Sequence, residues 1–235
     1  MDLSIKSLKT LFLISIIIFA SCKKNISDKI DSESKEINIE LKEKLEFILL
    51  KDQGIREIVN GNLSDERKVK LLSKINLTEK DIEGNGKFSL MRQVDSINLL
   101  EVESIINQYG YPSISLVGKP ANETVYYVIQ HSSKIDKYLP LIRKAAKNGD
   151  IRITLLAMME DRNLMDKGLE QIYGTQIRGQ ANKKGEWIYI LWPIKNSDSI
   201  NIWRKEVGFK QTIEKYVKEM GIEYKLYQIK ELNEL

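Results

Sequence analysis

Apolar residues recur every three or four positions through most of this chain, and that spacing constrains its fold more than any other feature. Leu41, Leu45, Ile48, Ile55 and Val59 form one such stripe, which predicts a helix over 39–59 stopped at Gly61. A short helix over 64–75 follows, with Ser64 as its N-cap. Glu83-Gly84-Asn85-Gly86 reads as a loop, and a second long helix is expected over 90–109, closed by Gly110 and Pro112. Residues 111–119 read as irregular, and Pro120 suits the first turn of a third helix reaching His131. Helices over 139–148 and 151–172 come next. The period then falls to two: 175–180 and 186–192 predict a β-hairpin turning at 181–185, with Pro193 ending its second strand. A last helix is expected over 200–220, and 222–229 reads as a further strand. The expected fold class is mainly α, a single helical domain over 39–235 with a small antiparallel hairpin near its C-terminal part.

The N-terminus follows another logic. Lys6 and Lys9 precede an apolar run, Leu11 to Phe19, and the small residues Ala20 and Ser21 precede Cys22. A basic start, an apolar middle and small residues before a cleavage point describe a secretory signal. A cysteine directly after them is the pattern of a bacterial lipoprotein. The run is about half the roughly 20 apolar residues a spanning helix needs. The expectation is a signal peptide over 1–21, a lipid on Cys22 and a polar tether over 22–38. The partner this implies is a membrane, and the address is the bacterial envelope, on a periplasmic or outer-membrane face. Phe19 departs from the leucine usual at that position of a lipobox. Cys22 is the only cysteine, so no disulfide can staple the domain and a packed core must hold it.

Charge excludes one class of partner. Two of the 37 basic and one of the 33 acidic residues precede Cys22, leaving a mature surplus of about three positive charges in mixed-sign sequence. That is an ordinary solvated surface, and no nucleic acid is expected.

Chemistry is to be sought where polar residues interrupt apolar stripes. Asp52 interrupts the first helix, Asp95 and Asn98 the second, His131 extends the third, and Arg162 interrupts the fifth with Asp161 beside it. An unpaired polar group costs roughly 2–7 kcal/mol to bury. These side chains must therefore meet one another, as a buried structural network with Asp52 pairing to Arg56 or Arg162, or line a functional cleft.

His131 is the only histidine, which excludes a two-histidine metal site. As a general base it needs a carboxylate to orient its ring, with Asp95 or Asp161 as candidates. No nucleophile elbow, phosphate loop, dinucleotide fingerprint or zinc pattern is present. No metal or cofactor is expected, and a histidine-activated water is the hydrolytic chemistry left. The second concentrated signal is Tyr173-Gly174-Thr175-Gln176, where helix gives way to hairpin. It reads as a local turn with Thr175 capping, or as amide and hydroxyl groups presented to a ligand.

Asp52-Gln53-x-x-Arg56, Tyr109-Gly110-Tyr111-Pro112, Leu116-Val117-Gly118, Gln130-His131, Asp161-Arg162 and Tyr173-Gly174-Thr175-Gln176 occur in this order. In that arrangement the chain resembles the domain-of-unknown-function family 6624 of bacterial proteins, over about residues 40–220. Trp203-Arg204 and Gly208-Phe209 are a looser match to the end of that family's pattern. The resemblance implies that the polar set is a shared feature, and it supplies no reaction.

Two functional expectations result. One is an envelope lipoprotein with a polar cleft, in which His131 and Asp161 are the catalytic candidates. Asp52, Arg56, Gln130, Arg162, Tyr173, Thr175 and Gln176 are then the ligand-binding ones, for a small polar molecule bound or hydrolysed. The other is a non-catalytic lipoprotein that docks an envelope protein.

Overall fold

In the computed structural model, residues 36–234 are described, except Asn62. The expected signal peptide over 1–21, the expected lipid on Cys22 and the expected tether up to residue 35 lie outside them. Among the described residues the fold is mainly helical, with ten α-helices and one two-stranded antiparallel sheet.

Helix α1 spans Ile39–Asn60 and opens on a capping bond, the Asn38 side-chain oxygen accepting from the Leu41 amide at 3.0 Å. Gly61 closes it in the left-handed conformation, where its amide bonds the Glu57 carbonyl. Ser64 caps α2 (Asp65–Lys74) by accepting from the Arg67 amide. Helix α3 (Glu79–Asn85) occupies the stretch expected to be a loop. Thr78 and Asp81 form a reciprocal capping box there, which outweighs the two glycines at its far end. Helix α4 (Lys87–Tyr109) lies antiparallel to α1, as the Lys51–Glu101 and Arg56–Asp95 ion pairs require.

A short helix, α5 (Ile114–Val117), sits in the segment read as irregular, and a cis peptide joins Lys119 to Pro120. A 3-10 turn over Ala121–Glu123 leads into α6 (Thr124–Ile129). The Thr124 hydroxyl donates to the Leu45 carbonyl at 3.1 Å and ties α6 to α1. Helix α7 (Ile135–Lys147) begins four residues earlier than expected and carries Pro140 inside it. Helix α8 (Ile153–Asp166) ends six residues short of the expected boundary, with Gly168 at positive φ after it.

Strands β1 (Ile177–Ala181) and β2 (Trp187–Leu191) form the hairpin, with Gly179 opposite Tyr189. The single C-terminal helix expected over 200–220 is two, α9 (Ile200–Glu206) and α10 (Ile213–Glu219). Gly208, at φ +89°, turns the chain between them. Residues 222–228 form no strand, because no neighbouring strand offers them a ladder.

Four apolar clusters hold the described residues together, and two of them bear on the polar residues. The larger joins Leu41, Leu45 and Ile48 of α1 with Val102 of α4, Val125, Tyr126 and Ile129 of α6, Ile142 of α7, and Leu155 and Met159 of α8. The smaller joins Leu191 and Ile194 to Ile200 of α9 and Ile213 and Val217 of α10. Helix α8 takes part in the first core through Leu155 and Met159, and Arg162 continues that face one turn further on.

Candidate functional site

The polar residues expected in one cleft fall into two centres on different faces of α8. The first is built on α1. Asp52 is fully buried there, and its carboxylate accepts from the Gln53 amide at 2.6 Å and from Arg56 Nη1 at 3.0 Å. The same Arg56 nitrogen donates to the Asp52 carbonyl at 2.7 Å, while Nη2 reaches Asp95 on α4 at 2.8 Å. Arg56 is thus a clamp between two helices and two carboxylates. Burial pushes the Asp52 carboxyl up to about 6, against the lowering pull of Arg56 and the Gln53 hydrogen bond. Asn98 lies one turn along α4 from Asp95, fully buried, and neither atom of its amide has a hydrogen-bond partner among the described residues.

His131 follows α6 and is half-buried. Burial, then the positive charges of Arg56 and Arg162, bring its imidazole down to about 3. Both guanidiniums therefore lie within electrostatic reach of the ring, and at neutral pH the ring is uncharged. Its nitrogens carry no hydrogen bond among the described residues, and neither do the side chains of Gln130 and Arg162. Tyr126 is fully buried on α6 in the field of Arg162, with its hydroxyl unpartnered among the described residues.

The second centre is built on Asp161, one residue before Arg162. Its carboxylate is fully buried and receives the amides of Ile172 at 2.7 Å, Tyr173 at 3.0 Å and Thr175 at 3.0 Å. The Thr175 hydroxyl adds a fourth donor at 2.9 Å. Burial still holds this carboxyl above the usual aspartate value, against the lowering effect of those bonds. Gln171, which sequence reasoning did not single out, completes the turn. Its fully buried amide donates to the Gln176 and Trp192 carbonyls at 3.1 and 2.7 Å and accepts the Gln176 amide at 2.8 Å. Only its place at a helix-to-hairpin junction hinted at this. Arg204 of α9 donates to the Tyr173 carbonyl at 2.7 Å, and the Tyr216 hydroxyl of α10 donates to the Thr175 carbonyl at 3.1 Å. Gln176 donates to the Met158 carbonyl at 3.2 Å and returns the turn to α8.

The geometry thus assigns different work to the expected residues. Asp52 and Arg56 form the first centre with Asp95, and His131 feels the charges of Arg56 and Arg162, while the Gln130 side chain makes no hydrogen bond among the described residues. Asp161, Tyr173, Thr175 and Gln176 form the second, whose backbone and side chains are engaged with one another. Asp161 makes no hydrogen bond to His131, and its lone pairs go to the 172–175 turn, so the orienting carboxylate expected for a general base is not assembled. Asp95, the other candidate, is bound to Arg56. A cavity of about 380 Å³ lies beside the second centre, against Met158, Thr175, Arg204, Phe209 and Tyr216. Among the described residues no three His, Cys, Asp or Glu side chains group as metal ligands.

No curated protein and no solved structure matches the chain. The model of a family of unknown function, DUF6624, matches residues 66–230. That stretch contains His131, Asp161, Arg162 and the whole 171–176 turn, and it begins after Asp52 and Arg56. On a match over most of its length, the chain belongs to the DUF6624 family.

Proposed function

We propose that this protein is a lipid-anchored protein of the bacterial envelope that binds a small polar ligand between α1, α6 and α8, at Arg56, Gln130, His131 and Arg162. The observation that carries the reading is a set of polar side chains with nothing to bind. Tyr126 is sealed without a partner, and His131 and Arg162 are half-buried without one. A folded protein seldom leaves such groups unsatisfied unless water or a ligand completes them. Binding is favoured over hydrolysis because an imidazole titrating near 3 is a feeble base at neutral pH, and no carboxylate orients it. The anchor rests on Cys22 after the apolar segment and on the polar, aromatic-free sequence over 23–38.

The test has two arms. Expressed with its N-terminus intact, the wild type should fractionate with membranes and Cys22→Ser should not. Purified protein screened against small polar molecules by thermal shift should give hits that Arg162→Gln loses. A screen without any hit dependent on Arg162 rejects the ligand site.

A further inference from the structure

Arg204 is the most deeply buried cation among the described residues, at 2% exposed. A charge removed from water is costly unless its donors are answered. Its Nε donates to the Gln211 carbonyl at 3.1 Å and Nη1 to the Tyr173 carbonyl at 2.7 Å. The rings of Phe209 and Tyr216 lie 4.8 and 5.2 Å from the guanidinium carbon. Nη2 has no acceptor among the described residues, and it is not sealed from solvent. No carboxylate pairs with it. Asp161 is given to the 172–175 turn, Glu214 to the Asn201 amide and Glu219 to Gln211 and Lys215, while Glu160 is held on Arg143. Glu206 is exposed, two residues along α9 and on another side of that helix. Arg204 lines the cavity of about 380 Å³ beside the turn, where Met158, Phe209 and Tyr216 supply the apolar wall. That volume falls among those of small-molecule sites. Lys210 also lines it, exposed and without an ion pair among the described residues, and no lining side chain is acidic. The walls are tied to one another: the Phe209 amide donates to the Arg204 carbonyl at 2.8 Å, and the Tyr216 hydroxyl to the Thr175 carbonyl at 3.1 Å.

We propose that this cavity is a second binding site, sharing no residue with the one on Arg162, and that it takes the anion of a small apolar carboxylic acid. The carboxylate seats on Arg204 Nη2, the apolar body lies against Met158, Phe209 and Tyr216, and Lys210 adds a positive charge at the rim. Two cations and no carboxylate in the lining select a negative ligand, and a neutral one would leave Nη2 unanswered. The apolar wall selects against inorganic phosphate. That ion carries more charge and needs several donors to replace its water. The other polar groups of the lining are already engaged: the Thr175 hydroxyl donates to Asp161, the Tyr216 hydroxyl to Thr175 and the Gln211 amide to Glu219. One free guanidinium nitrogen can hold the edge of a carboxylate and little more.

The probe is sodium fluorobenzoate, followed by fluorine NMR on the full chain at constant ionic strength in sodium chloride. Its resonance should broaden saturably and be restored by unlabelled benzoate or hexanoate, but not by phosphate. Benzyl alcohol, which has the ring without the charge, should compete at least roughly tenfold more weakly than benzoate. Lys210→Glu, at an exposed position, should melt like the wild type and bind the probe about threefold or more weakly. Arg204→Gln should abolish binding, but it also cuts the ties to Tyr173 and Gln211. The amide spectrum of the wild type therefore locates the site without that variant. The amides of Thr175 and of residues 209–211 should shift with occupancy, and those of Gln130, His131 and Arg162 should not. Benzyl alcohol competing as well as benzoate would overturn the carboxylate, and phosphate competing as well would overturn the apolar body. Shifts centred on Gln130, His131 and Arg162 would overturn this site and support the other. No saturation up to roughly 10 mM probe would overturn this site and leave the one on Arg162 to its own screen.

Discussion

Asp161 Oδ2 accepts both the amide and the hydroxyl of Thr175, at 3.0 and 2.9 Å, from fourteen residues away. With the amides of Ile172 and Tyr173 on its other oxygen, one carboxylate from α8 satisfies a whole turn of backbone that has no regular secondary structure. A residue in this position fixes geometry and has no lone pair left for a substrate.

Asp161→Ala should therefore act on the fold. Four buried donors would lose their acceptor, and each unsatisfied group costs about 1–3 kcal/mol. We expect a loss of at least about 3 kcal/mol in urea unfolding. In the wild type, the amides of Ile172, Tyr173 and Thr175 should exchange as slowly as those of the neighbouring hairpin. Fast exchange at these three positions would show that the turn is not held as described.

Gly174 sits inside that turn at φ +68°. A Cβ there would lie 2.6 Å from Ile213 Cδ1 and 2.8 Å from Ile200 Cδ1. Gly174→Ala combines a left-handed backbone penalty with overpacking and should cost roughly 2–4 kcal/mol. Ile213→Val removes the nearer methyl, so the double variant should lose less than the sum of the two single ones. Strict additivity of the two unfolding free energies would contradict the close approach.

Why some of this was legible and some not follows from where each signal lives. The start and stop of α1 are local: an apolar stripe, Asn38 before it and Gly61 after it. The hairpin is local too, since period-two alternation around a Lys-Gly turn needs no distant partner. The end of α8 has a local signal too, Gly168 in the left-handed conformation with the Leu169 amide returning to the Leu164 carbonyl. The turn beyond it is not local, since its amides at 172, 173 and 175 are held by Asp161. The break between α9 and α10 likewise belongs to Gly208 and to Arg204, which reaches back to the Tyr173 carbonyl. For the site, the sequence showed which polar residues interrupt apolar stripes. It could not show which of them bind each other, so two centres read as one.

The first centre makes a crossed prediction about pH. The Asp52 carboxyl titrates near 6 in the folded chain, above the value of about 3.9 expected when unfolded. Its contribution to stability is fully present below pH 4 and is lost as the pH rises through 6. His131 runs the other way. Its imidazole titrates near 3 folded and about 6.5 unfolded, so its contribution is present above pH 6.5 and is lost as the pH falls towards 3. Between pH 6.5 and 4.5 each term is worth about 2 kcal/mol, with opposite sign. The two residues' contributions should therefore largely cancel one another across that interval. Asp52→Asn leaves the histidine term uncompensated by Asp52, and its stability should fall on acidification relative to the wild type. His131→Gln leaves the Asp52 term uncompensated by the histidine, and its stability should rise relative to the wild type. Urea unfolding of the three proteins at pH 6.5, 5.5 and 4.5 gives the slopes directly. Parallel slopes in the two variants would mean that neither group is perturbed by the environment described. Divergent slopes of the expected signs would show that burial in the folded chain perturbs both groups, in opposite directions.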